Sequence, residues 1–183
     1  MKNYGLKDHF CYYLDLLYRE IPNVVYGGIL SVFILGAIVI FALLGWNRGW
    51  RTVARMMLVE IILLIYCSTF VFRQYAESYG YNYHPLWSYM AIRQEGKEIL
   101  IAEIIMNVVV FLPVGLLMGC AYKSMRWLKV FLLGLCVSSS IEVMQFVFKR
   151  GFSEIDDILH NTLGCMIGFG IYRIGVLALK NHF

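Results

Sequence analysis

Five long apolar runs decide what this chain can fold into. Each is long enough to cross the ~30 Å hydrocarbon core of a bilayer, which takes about 20 helical residues. The runs are Val24–Leu44, Val53–Phe72, Ile99–Ala121, Leu128–Phe148 and Ile155–Leu179. Because 60% of the 183 residues are hydrophobic and only 15% are charged, an ordinary soluble domain is excluded. We predict an all-α membrane protein, a polytopic bundle of about five transmembrane helices, with residues 1–183 forming a single membrane domain.

The segment before the first apolar run does not resemble a cleavable signal peptide. The first apolar run begins only at Val24, and it is longer than the apolar core of a signal peptide. Residues 8–21 place Phe10, Leu14 and Leu17 at helical spacing, which is typical of an amphipathic helix lying on the membrane surface. A partly ordered tail fits the same residues, and both alternatives stay open.

Five spans would place the two termini on opposite sides of the membrane. We call side A the side of the N-terminal tail, the 73–98 loop and the 149–154 link, and we call the opposite side B. Lysine and arginine totals do not separate the two sides, but side B concentrates its charges in short loops. Basic residues in short loops favour the cytoplasm, so we expect side B to be cytoplasmic and side A to face outward.

Polar side chains interrupt the last three runs and lie close to side A in each of them. This placement follows from chain alternation and holds for either orientation. A charged side chain at the centre of a membrane helix costs roughly 2.5–3.5 kcal/mol on insertion scales. These groups therefore either hold the helices together or bind a polar ligand. They are Glu103, Asn107, Glu142, Gln145, Asp156, Asp157 and Asn161.

Helical spacing arranges many of these groups in lines. One face of the fourth run carries Ser138, Glu142, Gln145 and Lys149, and one face of the fifth carries Asp157, Asn161, Gly164 and Gly168. Residues three and four apart are neighbours on a helix surface. The two lines therefore predict two facing polar surfaces.

Small residues and a proline indicate how the predicted helices pack. Gly115, Gly164 and Gly168 would let neighbouring helices approach closely. Pro113 removes the backbone hydrogen bond to the Val109 carbonyl and should kink the third span. We assign these four residues a structural role.

Arg150 is the expected counter-charge of the acidic groups, because it lies in the short link between the fourth and fifth spans. It could form an ion-pair clasp with Glu142, Asp156 or Asp157. It could instead lie at the mouth of a polar pocket that opens to side A. The candidate ligand-binding residues are Asn107, Glu142, Gln145, Arg150, Asp156, Asp157 and Asn161.

Other site types find little support in the sequence. The cysteines show no paired spacing, so we expect no metal site and no cofactor. The aromatic 73–98 loop is typical of an interfacial belt, although its rings would also suit stacking on sugars. His84-Pro85 marks a turn in that loop, because the residue before proline is pushed out of helix.

Five motifs together resemble the VanZ-like family over residues 80–170. They are Asn82-Tyr-His-Pro-Leu-Trp-Ser, Asn107-Val-Val-Val-Phe-Leu-Pro-Val-Gly115, Ile141-Glu-Val-Met-Gln145, Arg150-Gly-Phe, and Asp156-Asp157-Ile-Leu-His-Asn161-Thr-Leu-Gly164 followed by Gly168. Leu86 and Glu154 depart from the usual family residues. The resemblance implies a bacterial inner-membrane protein. For the founding member it implies reduced susceptibility to teicoplanin without altered peptidoglycan precursors, and it supplies no chemistry.

These observations lead to two alternative functions. The first is a non-enzymatic, multi-pass protein of the cell envelope whose polar pocket binds a lipid headgroup or lipoglycopeptide and contributes to teicoplanin resistance. The second is an intramembrane enzyme acting on a polyprenyl-linked or phospholipid substrate, with Glu142 and Asp157 as acid/base groups or Mg²⁺ ligands and Arg150 on a phosphate. The expected partners are membrane lipids, a lipoglycopeptide or a cell-wall lipid precursor, and not nucleic acid.

Overall fold

The computed structural model describes residues 46–71, 73 and 75–180. Its elements, in chain order, are α1 (Trp46–Tyr66) continued by a π-helix (Cys67–Val71), β1 (Gly80–Asn82), α2 (Trp87–Glu95), α3 (Ile99–Ala121), α4 (Trp127–Phe148), β2 (Phe152–Glu154) and α5 (Ile155–Lys180). The predicted first span, Val24–Leu44, and the predicted amphipathic segment, residues 8–21, lie outside the described residues.

Four of the described helices are long and apolar enough to cross a membrane. The spans cover Gly49–Thr69, Ile99–Ala121, Trp127–Phe148 and Ile155–Ala178. They coincide with the second to fifth apolar runs of the sequence. A helix satisfies its own backbone hydrogen bonds within lipid, which is why runs of this length and composition fold this way. The prediction of an all-α membrane bundle is confirmed.

The helices pack in the order α1, α3, α5, α4. The most extensive contact joins α3 and α5, while α1 packs on α3 and α4 packs on α5. The buried apolar cluster runs through all four helices and includes Ile65, Phe111, Ile141 and Phe169. Because α4 touches α3 only slightly, space can remain between these two helices near side A.

Three glycines account for the close approach of α3 and α5. A side chain at Gly115 would collide with the Cys165 carbonyl, one at Gly164 with the Val108 carbonyl, and one at Gly168 with the Leu112 carbonyl. Backbone therefore lies directly against backbone, the role expected of small residues in membrane helices. Pro113 lies inside α3, and the kink expected there stays a prediction.

A small structure outside the bundle interrupts the all-helical pattern at side A. Strand β1 pairs in parallel with β2, with Gly80 opposite Phe152 and Asn82 opposite Glu154. The turn predicted at His84-Pro85 is confirmed: the Trp87 backbone N–H donates to the His84 carbonyl at 3.3 Å. The predicted loop is therefore a strand, a turn and the short helix α2.

Candidate functional site

A partly open cavity of about 100 Å³ lies between the helices at their side-A ends. Its wall combines the π-helix with α3, α4 and α5. The polar residues that line it are Ser68, Thr69, Arg73, Glu103, Asn107, Glu142, Gln145, Asp157 and Asn161. The structure thus brings five of the predicted ligand-binding residues to one place, namely Asn107, Glu142, Gln145, Asp157 and Asn161.

Helical spacing places the α4 residues of this site. Ser138, Glu142 and Gln145 are all buried, as expected for positions i, i+4 and i+7 on one face. Lys149 does not continue that face, and its assignment to it was wrong. The helix ends at Phe148, Lys149 adopts a left-handed conformation with φ 52°, and its ammonium lies 4.4 Å from the centre of the Tyr79 ring.

Hydrogen bonds between polar side chains join the helices around the cavity. Asn107 Nδ2 donates to Asp157 Oδ1 at 2.6 Å, which links α3 to α5. Asn161 Nδ2 lies 2.9 Å from Ser138 Oγ, which links α5 to α4. Both contacts fall on the faces that the spacing predicts.

The π-helix at the end of α1 lies on the cavity wall, and its backbone takes part in hydrogen bonds there. Gln145 Nε2 donates to the Thr69 carbonyl at 2.8 Å. Ser68 Oγ and Thr69 Oγ1 both donate to the Ile65 carbonyl, at 3.0 and 2.6 Å. The i to i+5 pattern of a π-helix displaces carbonyls from their usual α-helical partners, and such turns are frequent at functional sites.

Two amide oxygens at the cavity lack a hydrogen-bond donor. Among the described residues no donor reaches Gln145 Oε1 or Asn161 Oδ1, although both atoms are buried. The side chains of these residues are only 4% and 6% exposed. An unpartnered buried acceptor costs roughly 1–3 kcal/mol. His160 Nδ1 and Thr162 Oγ1 are also buried without a partner among the described residues, but these two residues do not line the cavity, whereas Gln145 and Asn161 do.

The cation of the cavity is Arg73 rather than Arg150. Arg73 is the one basic residue among the described residues of the lining. Arg150 lies in the link after α4, where its backbone N–H donates to the Gln145 carbonyl at 2.9 Å. Its Nη1 donates to the Arg73 carbonyl at 3.3 Å. Arg150 therefore supports the chain at Arg73, and the structure does not place it on the cavity wall.

Asp156 does not line the cavity either, although it was grouped with the ligand-binding residues. Its side chain is fully buried, and both of its oxygens receive backbone donors. The Leu86 N–H donates to Oδ1 at 2.6 Å and the Ser88 N–H donates to Oδ2 at 3.0 Å. Asp156 thus caps the N-terminus of α2, where free backbone N–H groups favour an acidic partner.

Further contacts fix residues 80–95 onto residues 152–160, and we call this contact the cap junction. Trp87 Nε1 donates to Glu154 Oε2 at 3.2 Å. Tyr89 Oη lies 3.0 Å from His160 Nε2, and the Leu86 backbone is held with φ 62°. A leucine in that left-handed conformation costs about 1–2 kcal/mol, so the bond from its N–H to Asp156 helps to maintain it.

Glu154 connects the cap junction to the cavity. Its backbone N–H donates to Glu142 Oε2 at 2.8 Å. Burial, and next the nearby Glu103 carboxylate, raise the pKa of the Glu154 carboxyl to about 7, and the hydrogen bond from Trp87 opposes the increase. The protonation state of Glu154 therefore changes near neutral pH.

The sequence of this site places the chain among known proteins. The family model for VanZ/LLP1 matches residues 30–177. The chain belongs to the VanZ/LLP1 family. The resemblance inferred from the motifs of residues 80–170 is therefore confirmed.

One curated relative in this family is Protein VanZ from Enterococcus faecium. It is 37% identical to this chain over 72 residues, which cover 39% of this chain and 45% of that protein. The matched part is thus less than half of the VanZ protein. No solved structure matches the chain.

Several residues of this VanZ/LLP1-family site were missed from the sequence. Ser68 and Thr69 looked like ordinary small residues near the end of an apolar run. Arg73 was counted only as a loop charge, although a single cation directly after a span was a usable signal. No group of three His, Cys, Asp or Glu side chains within residues 46–71, 73 and 75–180 is placed to hold a metal ion.

Proposed function

We propose that this protein is a non-enzymatic protein of the bacterial inner membrane whose side-A cavity binds the polar headgroup of a lipid. Through that binding it would contribute to reduced susceptibility to teicoplanin, as the family resemblance implies. The observation that carries the proposal is the pair of buried amide oxygens, Gln145 Oε1 and Asn161 Oδ1, that no described donor reaches. An ion-pair clasp has no use for them.

The size of the cavity favours a headgroup over a whole antibiotic. A cavity needs a volume of roughly 10–15 Å³ to hold one water molecule. The cavity of about 100 Å³ therefore accommodates several waters or one small polar group. A lipoglycopeptide is many times larger and could insert only a fragment. We therefore favour an indirect effect on the antibiotic, through the lipid that the protein binds.

Expression in a susceptible host tests the proposal. We expect wild-type protein to lower sensitivity to teicoplanin while sensitivity to vancomycin, measured in parallel, changes less. Glu142→Gln, which replaces an ionisable carboxyl group at the cavity by an amide, should abolish the effect. Glu95→Gln makes the same change in an exposed surface ion pair with Lys97 and should retain it. An unchanged teicoplanin sensitivity in cells with verified membrane expression would eliminate the resistance role.

The proposal also requires the cavity to face outward. Side A carries the exposed Tyr79, so a Tyr79→Cys variant in a cysteine-free background reports its location. We expect a membrane-impermeant maleimide to label it in intact cells. Protection until lysis would place the cavity on the cytoplasmic side.

One observation favours an enzyme as the second candidate. Glu142 and Asp157 line the same cavity as Arg73, and two carboxyl groups beside a cation are a common arrangement for acid/base chemistry on phosphate compounds. Turnover of a labelled lipid carrier by wild type, and its loss in Glu142→Gln, would establish this alternative. Turnover that survives in Glu142→Gln would remove Glu142 from that role.

A further inference from the structure

Among the residues that the structure describes, three carboxyl groups and one guanidinium group line the cavity. The carboxyl groups of Glu103, Glu142 and Asp157 line it, and Arg73 is the one cation among the described lining residues. An acidic cluster alone does not define a ligand, because it can serve packing alone. The second observation comes from the amides.

The free acceptor on Gln145 has a defined orientation. Its Nε2 donates to the Thr69 carbonyl at 2.8 Å, and a carbonyl oxygen can only accept. The atom left over is therefore Oε1, which is buried and has no donor among the described residues. For Asn161 the partner is the Ser138 hydroxyl, which can donate or accept, so Gln145 is the firmer evidence.

A ligand that matches this wall must donate several hydrogen bonds and carry positive charge. A primary ammonium does both, with three N–H donors and a full charge. A quaternary ammonium has the charge without a donor, and a hydroxyl has one donor without the charge. Arg73, on the same wall, suits an anionic group next to the amine, such as a phosphate.

We propose that the carboxyl groups and the Gln145 amide oxygen of this cavity bind a primary ammonium group, with Arg73 facing an adjacent phosphate. This rests on the proposed headgroup binding and names the class of headgroup. Aminophospholipids have this chemistry, and so do soluble amino phosphates of the same head structure.

Three phospholipids with identical acyl chains test the proposal on the full-length protein in detergent. They are phosphatidylethanolamine, phosphatidylcholine and phosphatidylglycerol, and native mass spectrometry measures how strongly each is retained. Phosphatidylcholine is the matched control, because it keeps the phosphate and the positive charge but has no N–H. We expect phosphatidylethanolamine to bind about tenfold more tightly than either, as expected for one or more charge-assisted hydrogen bonds.

Two near-isosteric variants locate the preference. Asp157→Asn and Glu142→Gln keep the shape of the wall and replace an ionisable carboxyl group by a neutral amide. Phosphatidylethanolamine should then bind about tenfold less tightly, close to the affinity for phosphatidylglycerol. Glu95→Gln, at an exposed position on α2, should keep it. Competition by soluble phosphoethanolamine separates a free amine from a lipid headgroup as the source of the same chemistry.

Each outcome separates this inference from the proposed function. Equal or stronger retention of phosphatidylglycerol or phosphatidylcholine would overturn the ammonium proposal and leave headgroup binding in place. Retention of none of the three would overturn both. A preference for phosphatidylethanolamine that persists in both variants would show that it arises elsewhere on the protein, and the assignment to this cavity would fail. If only soluble phosphoethanolamine binds tightly, the cavity binds an ammonium group as proposed, but its ligand is not a lipid.

Discussion

Asp156 and Asp157 are neighbours in the chain, yet they serve two regions of opposite character. At the cap junction, Asp156 is fully buried and both of its oxygens receive backbone N–H groups. At the cavity, Asp157 accepts from Asn107 on a wall where the buried amide oxygens of Gln145 and Asn161 have no donor among the described residues. Asp156 uses both of its oxygens to hold the fold, whereas the wall around Asp157 carries acceptors without a donor. The cap junction has one buried atom of the same kind, His160 Nδ1, which has no partner among the described residues.

This contrast separates the two roles that the sequence left open for the polar cluster. Acidic residues that look alike in the sequence differ in whether the fold satisfies them. A satisfied carboxylate contributes to stability, and its removal leaves buried donors unpaired. A carboxylate in an unsatisfied setting contributes little to stability, and its removal should show in binding instead.

The largest effect on stability is expected from Asp156→Ala. The change leaves the Leu86 and Ser88 backbone N–H groups without their acceptor, at a cost of about 3 kcal/mol in the free energy of unfolding. Thermal unfolding in detergent, together with protease cleavage of residues 80–95, measures it. Asp156→Asn keeps one acceptor and should lose about half as much. If Asp156→Ala unfolds at the same temperature as the wild type, Asp156 does not stabilise the fold in this way.

A smaller effect is expected from pH at the same junction. The pKa of Glu154 is raised from 4.5 to about 7, by burial first and by the nearby Glu103 carboxylate second. The folded protein therefore holds this proton more tightly than the unfolded chain does. The corresponding stability is fully present below pH 4.5 and is lost as pH rises through about 7, because the unfolded chain binds fewer protons there.

Unfolding temperatures measured between pH 4.5 and pH 8 check this prediction. We expect the wild type to lose stability as pH rises across that window. Glu154→Gln keeps a hydrogen-bond acceptor for Trp87 and cannot ionise, so its profile should be flatter. Identical profiles for the two proteins would mean that Glu154 does not titrate in this range.

A modest effect is expected from Tyr89→Phe. The change removes the hydrogen bond between Tyr89 Oη and His160 Nε2 at 3.0 Å and leaves the ring in place. We expect a loss of about 1 kcal/mol in the free energy of unfolding, the usual worth of one hydrogen bond. The same thermal assay measures it. A loss as large as that of Asp156→Ala would mean that the junction depends on its side chains more than on its backbone cap.

The smallest effect on stability is expected from Asp157→Asn. The asparagine keeps an oxygen for Asn107 and removes an ionisable carboxyl from a poorly solvated place, so the free energy of unfolding should change by less than about 1 kcal/mol. The preference for phosphatidylethanolamine and the teicoplanin phenotype should nevertheless be lost. If Asp157→Asn destabilises the protein as much as Asp156→Ala does, both aspartates stabilise the fold and the contrast between the two regions is lost.

Much of the cavity could be predicted because it depends on helix geometry. The spacing of Ser138, Glu142 and Gln145 puts them on one buried face of α4. The spacing of Asp157, Asn161, Gly164 and Gly168 does the same on α5. That second line omits Asp156, which lies one residue earlier and therefore about 100° around the helix. Periodicity thus held the information that separates the two aspartates, although both were assigned to the ligand.

The sequence offered one signal for Arg73, its place directly after a span, but it could not show that Arg73 rather than Arg150 lines the cavity. Arg150 is near the acidic residues in the chain, and proximity along the chain made it the natural counter-charge. Arg73 reaches the cavity only because the end of α1 packs beside α3 and α4. The bond from Arg150 Nη1 to the Arg73 carbonyl joins residues 77 positions apart, and no local pattern encodes such a contact.

The sequence by itself determined the membrane helices and the end of the bundle at which the polar groups lie. Both follow from local rules: an apolar run of sufficient length must be helical in lipid, and successive spans alternate in direction. Only the tertiary structure decided which polar atoms are satisfied. The partners of Asp156 lie 70 and 68 residues away, on a segment that docks onto the start of α5. The free oxygen of Gln145 depends on a π-helix carbonyl 76 residues away. Whether a buried acceptor finds a donor depends on long-range packing, and this is what separates Asp156 from the amide oxygens of the cavity wall.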